Sequence, residues 1–515
     1  MSTTKMITRI APSPTGDPHV GTAYMSLFDY IASKKTDGKF ILRIEDTDQS
    51  RYNPESEQKV IDMLHWLGLN YDEGPDIGGP NAPYHQLARK EIYQKYAQQL
   101  LDEGKAYRAF ETPEELAEIR LDLQRRKLSY GYDGRASKIS KEESDKRAAS
   151  GEAYVIRLKT PSEGETVVKD ALRKEIVIPN KEVTDAVLIK ADGIATYHLA
   201  VVVDDHLMGI THAIRGEEWI STAPVHVLLY KALGWQEPVW VHMPLLKNAS
   251  GKKLSKRRDD ANVDSYRQQG IVPEALLNYL GTMGFSMPNG QEFFSLDEMI
   301  ANFSFDRISL GGSIFDMKRL KHYNKHYLKN VLELEKVAEL ASPFLKEAGY
   351  SWDDQDYLYD VVDVLLPRVD TLKEIAEQSN YFFEDDFSYT EDAKRRLEAG
   401  QKYLEGLERE LSILDFFDYD DVDDCIRDYV KSQSVKMGEI MMPLRAALAG
   451  TTKAPGVTDI AVILGKAKVL ERIGRALSFL EAGLPDDKPE KNKEELEKDK
   501  KDKRHAKKKQ KKDNA

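Results

Sequence analysis

A strand, a turn rich in proline and glycine, and a helix open the chain, and this order constrains the fold more than any other feature of the sequence. The apolar residues of 6–11 suit a buried strand, and apolar residues recur at helical spacing over 21–36. Prolines and a glycine within 12–18 require the backbone to turn between the two. His19 and Gly21 therefore fall at the start of the helix, where free N–H groups and the helix dipole favour a phosphate group.

A second apolar segment at 39–45 completes a strand–helix–strand unit. Such a unit is the opening half of a doubly wound α/β fold that binds nucleotides. No GxGxxG sequence follows the first strand, which disfavours a dinucleotide. The opening segment thus predicts an α/β nucleotide-binding domain.

A lysine-rich segment far downstream complements this loop. Residues 253–257 read KLSKR, within a stretch rich in glycine, serine and charge that suits a loop bringing cations to a polyphosphate. Together with His19, Lys253 and Lys256 suggest adenylyl transfer from ATP. Two plainer explanations stay open: His19 is a polar residue that begins a helix, and the lysines are a solvated charge run.

The order of the motifs resembles one family. HVGT (19–22) and KLSKR resemble the two signature sequences of class I aminoacyl-tRNA synthetases, and the intervening motifs resemble bacterial glutamyl-tRNA synthetases over 5–484. The motifs that carry this resemblance are RIAPSPTG (9–16), FILRIEDTD (40–48), YDEGP (71–75), TYHLA (196–200), VVDD (202–205), IRGEEW (214–219), MPLL (243–246), FSLDEMI (294–300), SIFDMKRL (313–320) and MPLRAALAG (442–450). The resemblance implies an enzyme that activates L-glutamate with ATP and transfers it to the 3′-terminal adenosine of tRNA-Glu.

The composition excludes several classes of protein. A chain of 515 residues is too long to fold around a single hydrophobic core, so about three or more domains are expected. The single cysteine, Cys425, excludes a disulfide framework, and 107–118 lack the cysteines with which some members of the family bind zinc, so no structural zinc is expected. No segment has the length of an apolar membrane span, and no signal peptide is evident, which predicts a cytoplasmic protein. The net charge of −12 does not decide RNA binding, because screening makes local clusters of charge matter more than the total.

The resemblance and the hydrophobic patterns together predict a fold class and a domain order. The fold class is α/β, a Rossmann-type catalytic domain with an inserted acceptor-end domain, followed by all-α anticodon-binding domains and a charged tail. Strands are also expected within the insertion, at 198–203 and at 239–243. The predicted order is the first Rossmann half (1–88), the acceptor-end insertion (89–190), the second Rossmann half (191–246), a stem-contact domain with the KLSKR loop (247–325), two helical anticodon-binding domains (326–380 and 381–485) and a disordered lysine-rich tail (486–515).

The resemblance also assigns an ATP site. His19, Lys253 and Lys256 are the predicted catalytic residues, with Lys256 as the principal one in the transition state. ATP, accompanied by Mg²⁺ held mostly by its phosphates, is expected to contact His19, Gly21, Thr22, Glu218, Trp219, Leu245, Leu246, Lys253, Ser255 and Lys256. For the two leucines, ordinary packing at a strand end is an equally simple explanation.

Glutamate carries two carboxylates and one ammonium, so a selective pocket needs two fixed cations and an anion. Arg9 and Arg215 are the predicted cations, since a guanidinium pairs with a carboxylate in bidentate geometry and keeps its charge, and Glu45 is the predicted anion. By resemblance, Arg9 faces the side-chain carboxylate, and Ala11, Ser13 and Tyr197 complete the pocket. Buried salt bridges would explain Arg9 and Glu45 equally well.

The helical C-terminal part carries the predicted anticodon contacts. Arg368, Arg445 and Pro455 fall where the resemblance places residues that read RNA bases, although ordinary surface arginines are an alternative. Arg368 resembles an arginine of members that charge tRNA-Glu alone. The alternative, an enzyme that also charges tRNA-Gln, stays open.

Three alternative identities fit the sequence less well. A glutaminyl-tRNA synthetase is disfavoured because its anticodon-binding part is a β-barrel, and a glutamyl-queuosine tRNA synthetase is excluded by length. A catalytically inactive tRNA-binding protein is disfavoured by the intact signature residues. The resemblance implies a monomer, and its partners would be tRNA-Glu, L-glutamate and ATP.

Overall fold

The computed structural model describes residues 5–126, 131–255 and 261–482. Within this part, the chain divides into two compact units. The first comprises the described residues of 5–333 with Val369–Glu374, and the second comprises Leu334–Arg368 with 375–482. Lys256 and the segment 486–515 lie outside the described residues, and the finer division into domains stays a prediction.

The first unit contains the strands. They are β1 (Ile7–Ile10), β2 (Lys39–Leu42), β3 (Ala106–Ala109), β4 (Val155–Leu158), β5 (Glu165–Asp170), β6 (Lys174–Pro179), β7 (Val187–Ile189), β8 (His212–Gly216) and β9 (Val239–Met243). Its helices are α1 (Val20–Lys35), α2 (Pro54–Trp66), α3 (Lys90–Asp102), α4 (Pro113–Arg125), α5 (Lys141–Ala149), α6 (Tyr197–Leu207), α7 (Ala223–Leu233), α8 (Val263–Gln268), α9 (Pro273–Gly284), α10 (Leu296–Asn302) and α11 (Met317–Asn330).

The predicted strand–helix–strand unit is confirmed. β1 and β2 pair in parallel, with Arg9 opposite Ile41, and α1 packs on both strands. β1 also lies beside β8, since the amide of Thr211 donates to the carbonyl of Ile7 at 3.0 Å. β8 in turn pairs in parallel with β9, so the contact between β1 and β8 places the two halves of the nucleotide fold side by side.

The segment predicted as an insertion contributes strands to two sheets. β3, β4 and β7 form an antiparallel sheet of their own, whereas the β5–β6 hairpin extends the sheet that contains β9 and β8. One hydrophobic core joins this segment to the nucleotide fold; it includes Leu158, Val168, Val202 and Leu229. Asp170, at the end of β5, is thereby brought against β9, where it matters for the site described below.

The prediction of a strand at 198–203 is wrong, because these residues lie in the helix α6. The run of β-branched and apolar residues suggested a strand by propensity. In the structure every residue from Leu199 to Val203 is buried, and a short segment that is apolar all round fits a buried helix as well as a buried strand.

The described residues of the second unit form helices joined by loops, with no strand, as predicted. Its helices are α12 (Leu334–Glu347), α13 (Gln355–Leu365), α15 (Asn380–Phe383), α16 (Glu391–Ser412), α17 (Tyr419–Ser432), α18 (Met437–Ala449) and α19 (Val457–Glu481), while α14 (Leu372–Glu377) begins in the first unit and ends in the second. α16 packs against α18 and α19 through an apolar stripe that includes Leu397, Leu404 and Leu407. No helix among the described residues is both long enough and apolar enough to cross a membrane.

Candidate active site

A cavity of about 620 Å³ lies in the first unit and collects most of the residues predicted to bind ATP and glutamate. The predicted residues that line it are Arg9, Ala11, His19, Gly21, Thr22, Glu45, Tyr197, Arg215, Glu218, Trp219, Leu245, Leu246, Lys253 and Ser255. Ser13 is exposed and is not one of the lining residues; its carbonyl accepts a hydrogen bond from Thr15. Lys256 falls outside the described residues.

The loop before α1 orients the histidine. His19 is the N-cap of α1, and its Nδ1 accepts a hydrogen bond from the amide of Gly21 at 2.8 Å. Because Nδ1 accepts, the proton of a neutral ring lies on Nε2. A Cβ on residue 21 would come within 2.9 Å of Nδ1, so the absence of a side chain permits this close contact. The cap therefore fixes both the place of the ring and the nitrogen that can donate.

The lysine loop reaches the same cavity through a short antiparallel contact. Lys253 pairs with Lys247 across a β-bridge. Its Nζ contacts Oε1 of Glu218 at 2.7 Å, and both side chains are partly exposed. Beside them, the ring of Trp219 lies 4.7 Å from that of Tyr197. The predicted phosphate-binding lysine is therefore held by a predicted adenosine-site residue.

Arg9 is part of a buried ion-pair network. Its Nε contacts Oδ1 of Asp205 at 3.0 Å, and the same oxygen contacts Nη1 of Arg43 at 2.8 Å. Burial alone would raise the pKa of Asp205, but Arg9 and Arg43 lower it below its ordinary value. Arg9 thus takes part in a buried salt bridge and also lines the cavity, so the two explanations offered by the sequence are compatible.

Glu45 lies at the edge of this network. Burial raises its pKa to about 7, although Arg43 and Arg9 act in the opposite direction. Its Oε1 lies 3.5 Å from Nη2 of Arg43 and is buried without a hydrogen-bond partner among the described residues. A buried, incompletely paired carboxylate at the wall of a cavity is suited to an ammonium group.

Arg215 is surrounded differently. Its Nε donates to Nε2 of His242 at 3.1 Å, and its Nη1 donates to Nδ1 of His226 at 3.0 Å and to the hydroxyl of Tyr197 at 3.4 Å. Its Nη2 is buried and has no hydrogen-bond partner among the described residues. Burial lowers the pKa of Arg215. Its charge is therefore available to an anion that enters the cavity.

The predicted anticodon residues come together in the second unit. Arg368 and Pro455 line a cavity of about 510 Å³, and Nε of Arg445 donates to the carbonyl of Pro455 at 3.0 Å. Burial, and then the positive charge of Arg368, lower the pKa of Arg445. Carboxylates from Asp360, Asp363 and Asp459 line the same cavity.

Sequence reasoning missed the residues that hold the arginines. Asp205, at the end of α6, and His226, on the buried face of α7, are the principal ones. Two adjacent aspartates after an apolar run were a signal for buried ion pairs, because buried carboxylates require partners. His226 and His242 carried no such signal, since their contacts with Arg215 depend on the packing of separate elements. Among the described residues, no group of three or more His, Cys, Asp or Glu side chains is arranged to hold a metal ion.

Comparisons with known families agree with this architecture. The model of the class I tRNA synthetases (E and Q), catalytic domain, matches residues 5–322, and that of an anticodon-binding domain matches residues 336–477.

The chain is also similar to named relatives over most of its length. It is 51% identical to the glutamate–tRNA ligase of Thermus thermophilus, across 92% of this chain and 100% of the relative. For that of Deinococcus radiodurans, the identity is 44% across 91% and 98%. A crystal structure of a glutamate tRNA ligase from Elizabethkingia meningosepticum, in complex with its amino acid, superposes with a TM-score of 0.85 at 34% identity, covering 93% of this chain and 100% of that one. The chain therefore belongs to the glutamate–tRNA ligase family of the class I aminoacyl-tRNA synthetases.

Proposed function

We propose that this protein attaches L-glutamate to the 3′-terminal adenosine of tRNA-Glu, with ATP as the source of energy. The observation that carries the proposal is the first-unit cavity, in which two buried guanidinium groups, those of Arg9 and Arg215, lie with Glu45, His19 and Lys253. These charges match the two carboxylates, the ammonium and the phosphates of the substrates.

The charges supply selectivity for the amino acid. Arg9 binds the side-chain carboxylate, Arg215 binds the second carboxylate, and Glu45 accepts the ammonium group. Tyr197 contributes a hydroxyl to the same pocket, already within 3.4 Å of Arg215. Buried donors reject an analogue that lacks their partner, because they would be left unpaired.

The first chemical step is the formation of glutamyl-adenylate. An oxygen of the α-carboxylate attacks the α-phosphorus of ATP, the bond to the β-phosphate breaks, and pyrophosphate leaves. Nε2–H of His19 donates to a phosphate oxygen, and Lys253 exchanges Glu218 for the leaving phosphates. Positioning and charge stabilisation account for most catalysis in such transfers. Mg²⁺ would accompany ATP, held mostly by its phosphates, and would neutralise part of their charge.

The second step uses the tRNA. The 2′-hydroxyl of the terminal adenosine attacks the acyl carbon, AMP leaves, and glutamate becomes esterified to the tRNA. In the second unit, Arg368, Arg445 and Pro455 contact the anticodon bases. A cytoplasmic location and a monomeric state complete the proposal.

Aminoacylation tests this function directly. The purified protein is incubated with ATP, labelled glutamate and either tRNA-Glu or tRNA-Gln. We expect charging of tRNA-Glu alone; charging of both would identify the non-discriminating alternative, and charging of neither would contradict the proposal.

A further inference from the structure

Two buried histidines hold Arg215, and the proposed function gives them no role. We propose that His226 and His242 are positioning residues for the amino acid: their neutral ring nitrogens fix the Arg215 guanidinium while leaving its positive charge for a carboxylate of the substrate. This inference rests on the proposed function of the cavity.

The histidine on β9 is fixed by an aspartate. Arg215 and His242 are partners in the parallel register of β8 and β9, and Nδ1 of His242 contacts Oδ2 of Asp170 at 2.6 Å. Because a carboxylate accepts, Nδ1 carries the proton, and Nε2 is left to accept from Arg215. Asp170 is itself held by the amides of Leu172 and Arg173, each at 2.9 Å.

The histidine on α7 is fixed by another histidine. Nδ1 of His226 accepts from Arg215, so Nε2 carries the proton and donates to Nδ1 of His198 at 3.2 Å. His198 lies on α6, one residue after Tyr197. The two histidine contacts therefore hold the guanidinium at Nε and at Nη1, and Nη2 keeps no hydrogen-bond partner among the described residues.

These contacts require uncharged rings. Burial lowers the pKa of His226 well below its ordinary value, and the charge of Arg215 acts in the same direction. Burial also lowers the pKa values of His198 and His242. A proton on the accepting nitrogen of either ring would place N–H against N–H and one cation against another.

The contrast with Arg9 shows why neutral partners matter. Arg9 shares Asp205 with Arg43, so part of its charge is balanced within the protein. Among the described residues, Arg215 donates to three side chains, and all three are neutral: two imidazoles and a phenol. A carboxylate in place of His226 could also accept from the guanidinium, but its negative charge would compete with the carboxylate of the substrate.

The test is a matched pair of substitutions at one position. In His226→Asn, the amide oxygen can replace Nδ1 as a neutral acceptor; His226→Asp has nearly the same shape but adds a negative charge. We expect the aspartate variant to raise the KM for glutamate by on the order of 30-fold, because its charge weakens the charge-assisted hydrogen bond between Arg215 and the substrate, and the asparagine variant by only a few-fold. The KM for ATP should change little in both.

Equal effects of the two substitutions, or no effect of either, would overturn the inference. His242→Gln and His242→Glu repeat the comparison at the nitrogen on the other side of Arg215, and they supply the test if a variant at 226 loses its cooperative thermal unfolding. The native protein is assayed in parallel for charging of tRNA-Glu. Failure of the native protein would reject the proposed function, whereas normal charging with indistinguishable variants would reject the histidine role alone.

Discussion

The arginines of the first-unit cavity and those of the second-unit cavity are held in different ways. Arg9 and Arg215 are only 4% and 6% exposed, and side chains from separate elements fix each one. Arg368 is exposed, and Arg445 is partly buried against the carbonyl of Pro455. A rigid pocket suits one small substrate of fixed charge, whereas exposed arginines suit unstacked bases that differ in shape.

The largest expected effect follows from removing an arginine of the rigid pocket. Arg9→Ala should greatly lower kcat/KM for glutamate, because it leaves a substrate carboxylate unpaired in a buried site. The decrease should correspond to a loss of about 3–5 kcal/mol of interaction free energy. Steady-state aminoacylation at varied glutamate concentrations measures this. The KM for tRNA should stay nearly constant.

A matched control separates substrate binding from stability. Arg89 forms a similar buried ion pair, with Asp204 at 2.7 Å, but does not line the cavity. Arg89→Ala should lower the melting temperature while it preserves the KM for glutamate. If both variants lost stability and neither changed this KM, Arg9 would be purely structural.

The exposed arginine of the second unit should have a smaller and different effect. Arg368→Ala should raise the KM for tRNA by roughly 10-fold, since contacts between a side chain and a single base contribute about 1–3 kcal/mol. Its matched control is Arg409→Ala, an exposed arginine on α16 that does not line the cavity. Equal changes in both variants would show that only general charge matters.

The pH profile tests the anion of the rigid pocket. With a pKa of about 7, Glu45 gains a proton as the pH falls through 7 and loses the charge that would bind the ammonium group. For this reason kcat/KM for glutamate should rise up to about pH 7 and fall close to tenfold per pH unit below it, because this ratio reports groups of the free enzyme. Glu45→Gln should lower activity and remove this limb of the profile, and an unchanged limb would assign it to another group.

The smallest effect is expected at the start of α1. Gly21→Ala would place a Cβ 2.9 Å from Nδ1 of His19, so the ring must shift and weaken its cap. Loss of such a cap costs about 1 kcal/mol of helix stability. A modest decrease in the melting temperature, with a several-fold increase in the KM for ATP, would fit this geometry; wild-type values for both would show that the cap is dispensable.

The sequence was sufficient for features that depend on local patterns. The β1–loop–α1 unit and the helical second unit followed from periodicity and turn residues, whereas most of the residues around the first cavity were named from the family resemblance. α6 was missed because an apolar run such as Leu199–Val203 has no period when all its faces are buried. The partners of Arg215 were missed because β5, α7 and β9 bring Asp170, His226 and His242 together only through tertiary packing.

The preference between glutamate and glutamine tests the central claim most directly, namely that fixed guanidinium groups select the substrate by its carboxylates. The two amino acids differ only in whether the side chain ends in a carboxylate or a neutral amide. We predict that kcat/KM for charging tRNA-Glu favours glutamate by on the order of 10⁴-fold, as in sites whose buried polar groups lose their partner with the wrong substrate. A ratio near one, or a preference for glutamine, would contradict the account.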